Sequence, residues 1–101
     1  MKQSYKSKLL INKKPAELNP FVDEFLARVS IGFAASLKGV DYIRSVEIHC
    51  EHDDVTIAVN GEDISLTPFP VQIIGNTLHG LVSTLKGGAD IKSLHVSVEA
   101  E

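Results

Sequence analysis

The sequence predicts one α+β domain, an internally duplicated βαβ-βαβ chain whose antiparallel sheet carries two helices on one face. Three observations lead there. Displacing the chain against itself by 48 positions pairs residues 8–52 with 56–100 without a gap, and eleven of those 45 pairs are identical. About three identities are expected from average residue usage. The same helix start and stop residues recur in both halves, and alternating apolar and polar residues mark half-buried strands around each helical stretch.

Each copy opens on a strand, with Leu9 and Ile11 as inward positions in the first and Val55, Ile57 and Val59 in the second. Asn19 or Thr67 offers a side-chain oxygen to the free amides of a helix start. Pro20 or Pro68 fills the first helical position, where no amide partner is needed. Pro70 still falls within that first turn and is tolerated. The helices stop at Lys38 or Lys86, a cation at the negative end of the helix dipole, followed by Gly39 or Gly87, which accept the left-handed conformation. Between these marks Phe21, Val22, Phe25, Leu26, Val29, Phe33 and Leu37 share one arc, which predicts the face lying on the sheet.

Val46, Ile48 and Cys50 alternate with Glu47, His49 and Glu51 in the strand that closes the first copy. Leu94, Val96 and Val98 alternate with His95, Ser97 and Glu99 in the second. Asn60 and Gly61 suit a type I′ turn, so a short extra strand is expected near Ile64 to Leu66. Asp53 and Asp54 are expected to turn the hairpin that joins the copies. The element order resembles the ferredoxin-like double split βαβ, in order and not in sequence, and implies two copies packed about a pseudo-twofold axis. That arrangement places the two closing strands on opposite edges of the sheet. Residues 1–7 are expected to be flexible.

A chain of 101 residues, 44% hydrophobic and 23% charged, predicts a single domain spanning residues 1–101. A net charge of −3 gives no overall attraction to nucleic acid or to acidic membranes. The five lysines among the first fourteen residues carry no aromatic interleaving and suit a solvated end. One cysteine, Cys50, excludes an intramolecular disulfide and a CxxC motif. With no apolar run of membrane length, the expectation is a soluble cytoplasmic protein without membrane contact or cofactor.

Glycine inside a helix is destabilising by about 1 kcal/mol relative to alanine, so Gly32 and Gly80 need a reason. With Ser36 and Thr84 one turn on, they suggest a close approach of two helix backbones. The outer arc of the second helix, including Val71, Gly75, Leu78, His79 and Val82, carries no charge. Interface cores are depleted of charge, which points to a homodimer formed through that helix.

The run from His49 to Asp54 suggests a metal site, but strand alternation sends Cys50 to the face opposite His49 and Glu51, so no metal is assigned there. On the open sheet face Glu47, His49, Glu51 and His95 are candidate ligand-binding or proton-sharing groups. No nucleophile elbow, phosphate-cradling loop or base-stacking aromatic pattern accompanies them. The leading expectation is a non-catalytic homo-oligomeric binding or regulatory module. The alternative is a small metal-binding protein or enzyme using those four residues.

Overall fold

The structure, a computed structural model, describes residues 4–38, 42–51, 54–86 and 90–100. In chain order these form β1 (Tyr5–Ile11), β2 (Lys14–Pro15), α1 (Pro20–Lys38), β3 (Ser45–Glu51), β4 (Asp54–Val59), β5 (Glu62–Ile64), α2 (Pro68–Lys86) and β6 (Ser93–Ala100). The strands make one six-stranded sheet in the order β2-β1-β6-β3-β4-β5, antiparallel throughout.

The local rules explain most element boundaries. At the start of α1 the Val22 N–H donates to Asn19 Oδ1 at 2.8 Å, the side-chain cap expected of an asparagine before a proline. Both helices begin at a proline and end at a lysine. Gly39, Gly87 and Asp53 lie outside the described residues. Tyr5 to Ser7 are not a loose end, because they pair in β1 with Val98 to Ala100. The Tyr5 hydroxyl also donates to the Ile43 carbonyl at 3.1 Å.

The strand order is not ferredoxin-like. The two closing strands, β3 and β6, lie side by side at the centre, and the opening strands β1 and β4 flank them. Tight hairpins account for this. β1 turns at Asn12 and Lys13 into β2, and β4 turns at Asn60 and Gly61 into β5. Each opening strand therefore spends part of one edge on its own hairpin partner, leaving a single free edge and so an outer place in the sheet. Asn60 and Gly61, with φ of 52° and 84°, occupy the left-handed region expected of that turn. Asn12 and Lys13 do the same at 52° and 69°, a second hairpin for which Lys13 gives no signal in the sequence.

The halves meet along β3 and β6, where Ile48 faces Val96, the residue 48 positions on. The flanking ladders repeat this register, Leu9 opposite Val96 and Ile57 opposite Ile48. Leu9, Ile48, Ile57 and Val96 all point to the covered side, and the side chains of both helices join them in one core. Among the described residues, no helix covers the other side of the sheet.

The helices sit on that core through a face rotated from the one expected. In α1 the buried residues are Val22, Leu26, Ala27, Ser30 and Ala34, while Phe21 is 73% exposed and Phe25 44%. In α2 they are Ile74, Leu78 and Val82. Leu78 and Val82, assigned to the outward arc, belong to the core. Small residues at positions 27, 30 and 34 let α1 lie close to the sheet, and large aromatics at its start are left outside. Nor do Gly32 and Gly80 mark a close helix approach, because a methyl placed on either meets nothing within 4 Å.

Candidate functional site

The uncovered sheet face carries the four residues singled out from the sequence. β3 presents Glu47, His49 and Glu51 on it in alternation, and β6 presents His95. Because β3 and β6 are neighbours, His49 stands directly opposite His95 in the ladder, so the expected separation of His95 from the other three is overturned. The two imidazoles stack with ring centres 3.9 Å apart and planes inclined by 24°. Diagonally across the same ladder, His95 Nε2 donates to Glu47 Oε1 at 3.3 Å. Cross-strand neighbours at these spacings interact directly. Glu51 lies further along β3, paired with Ser93 and Asp54.

Chemically, this cluster can pass a proton between an imidazole and a carboxylate at the surface. Among the described residues, no group of three or more His, Cys, Asp or Glu side chains is arranged to hold a metal ion. Cys50 is on the opposite, covered side at 2% exposure. Burial pushes its thiol up to about 11, so at neutral pH it is an uncharged filler and not a nucleophile.

The residues proposed for an interface divide between two environments. Leu78 and Val82 are in the core, whereas Val71, Gly75 and His79 line a cavity between α2, β3 and β4.

A separate surface was missed by the helical-wheel reading. Phe21, Phe25, Phe69, Ile73 and Leu85 remain at 73%, 44%, 72%, 46% and 43% exposure. Phe21 and Phe25 stack on each other at 5.8 Å. Between the C-terminal half of α1 and the start of α2 runs a groove of about 470 Å³, lined by Val29, Gly32, Phe33, Phe69 and Ile73 among others. The signal in the sequence was the repetition of Phe21 as Phe69 and Gly32 as Gly80, since the same exposed positions recur in both helices. Among the described residues, no helix is long and apolar enough to cross a membrane.

No protein-family model matches the chain, and neither a curated protein nor a solved structure matches it.

Proposed function

We propose that the protein is a non-catalytic module of two tandem copies of one β-hairpin, helix and strand unit, which self-associates through the outer flanks of α1 and α2. The exposed apolar strip on the two helices carries this reading. Fully exposed, a phenylalanine offers about 200 Å², so the five side chains together leave about 500 Å² of apolar surface in water. Spread over the two helices, that compares with about 300–600 Å² for the largest apolar patch on a typical monomer. Adding the Gly32, Ser36, Gly80 and Thr84 strip approaches the roughly 800 Å² per partner of a standard interface.

The proposed occupant is a second copy of this chain. The strip consists of matched pairs 48 positions apart, Phe21 with Phe69, Phe25 with Ile73 and Gly32 with Gly80. A surface built from two equivalent halves suits an isologous contact, in which each patch faces its own copy. From Pro68 to Leu85 α2 carries no charged side chain, so little charge has to be desolvated.

Size-exclusion chromatography with light scattering tests this. The wild type should elute as a dimer at micromolar concentration, and Phe21→Glu with Phe69→Glu as a monomer with an unchanged far-UV spectrum. A wild type that stays monomeric across the accessible concentrations overturns the reading.

The stacking of His49 on His95 beside Glu47 favours a second reading, a ligand-binding or proton-sharing site on the open face. His49→Ala checks it: loss of the protein's function with an unchanged far-UV spectrum supports the site, and unchanged function removes it.

A further inference from the structure

We propose that the second half of the chain holds a binding pocket for a small uncharged molecule bearing an adjacent hydrogen-bond donor and acceptor, a carboxamide or lactam edge, at the place where the first half is laced shut. In the first half the Ser7 N–H donates to Asp23 Oδ1 at 2.8 Å, and the Ser7 hydroxyl donates to the Asp23 carbonyl at 2.8 Å. These two bonds draw β1 onto the first turn of α1. The positions 48 residues later are Val55 and Val71, which can form neither bond.

Ala27 and Ile31 of the first half are replaced by Gly75 and His79 in the second, and the residue across the ladder is Val98 opposite Ser7 but Cys50 opposite Val55. Gly75 is mid-helix, where glycine is unfavourable, and a methyl there would stand 3.5 Å from Val55 Cγ2, on the wall of the cavity. With the lacing gone, α2, β3 and β4 flank an open cavity of about 410 Å³. Small-molecule pockets run from about 300 to 1,000 Å³.

The lining decides the chemistry of the ligand. Among the described residues it contains no charged carboxylate or ammonium group, and consists of Val55 and Val71 as an apolar wall, Cys50, Gly75, and the polar tips of Gln72, Asn76 and His79. A charged ligand would lose hydration there without a counter-charge. Gln72 and Asn76 are one helical turn apart, and neither primary amide has a hydrogen-bond partner among the described residues. Each offers a donor and an acceptor, the complement of a carboxamide or lactam edge. His79 Nδ1 lies 3.1 Å from the Gly75 carbonyl. A carbonyl only accepts, so Nδ1 donates, which in the neutral ring leaves Nε2 as an acceptor for a donor on the ligand. Cys50, held as a neutral thiol, adds an apolar floor. The apolar groove of the proposed dimer lies on the other flank of α2, so the pocket does not depend on self-association.

Nitrogen-15 correlation spectra of the full chain, titrated with nicotinamide, uracil and nicotinate, test the pocket. The two neutral probes should shift the resonances of Val55, Val71, Gly75 and His79 saturably at millimolar concentration. Nicotinate, the same ring with a carboxylate in place of the amide, should bind at least about tenfold more weakly. Rebuilding the lacing with Val55→Ser and Val71→Asp should abolish the shifts. Asn76→Leu, at an exposed helix position that leaves folding intact, should weaken them by about tenfold or more. The proposal is overturned if neither neutral probe gives saturable shifts, if nicotinate binds as well as nicotinamide, or if Asn76→Leu leaves binding unchanged.

Discussion

Asn12 and Asn60 make the same set of bonds into opposite halves of the chain. Asn12 Nδ2 donates to the Asp90 carbonyl, and its Oδ1 accepts from the Lys92 and Ser93 amides at 2.7 and 3.0 Å. Asn60 Nδ2 donates to the Tyr42 carbonyl, and its Oδ1 accepts from the Arg44 and Ser45 amides at 2.7 and 3.1 Å. Both residues have φ of 52°, a conformation asparagine tolerates better than most. Replacing either by alanine should lower stability by about 2–3 kcal/mol, similarly for the two sites, in urea denaturation. Asn60 was legible as a turn residue, but its bonds to the segment before β3 depend on sheet order, which adjacent residues do not encode. Cys50 was legible as a core residue, and its raised thiol has a consequence for pH dependence. The folded state holds that proton more tightly than the unfolded chain, whose value is near 9.0. This contribution to stability is therefore complete below about pH 9 and is lost as pH rises toward 11. Denaturation of wild type against Cys50→Val across that range should show the extra loss in the wild type alone.

The two helices were legible in their limits and misread in their orientation. Prolines and lysines set their ends, but the helical wheel puts Phe21 and Phe25 on one apolar arc with Val22 and Leu26, which reads as inward. Closeness to the sheet instead selected Ala27, Ser30 and Ala34. Ser30 and Ala34 align with Leu78 and Val82, so reading the first pair as non-core carried the error to the second helix. The same rotation leaves Gly32 and Gly80 on the outside with open space around them. Gly32→Ala or Gly80→Ala should therefore stabilise the monomer by about 1 kcal/mol through helix propensity. Each added methyl also falls on the proposed contact surface. Thermal melts should show a higher midpoint than wild type in dilute solution, with the advantage shrinking or reversing as concentration rises and the dimer forms.

For the whole molecule, an antiparallel sheet with two helices was legible from residue alternation and helix punctuation, whereas the order of strands was not. In either order each helix crosses over one intervening strand, so the element order alone permits both. The decision lies with two hairpin arms, and only one of them, at Asn60 and Gly61, carries a recognisable turn signal. Those arms also determine how the molecule ends laterally. β2 is two residues long and contains Pro15, and β5 is three residues long and contains Glu62 and Asp63. Proline lacks an amide to offer a newcomer, and short or charged margins discourage further strand addition. Both margins of the sheet thereby resist lengthening by neighbouring molecules, which guards a chain with so much extended backbone against growth into fibrils.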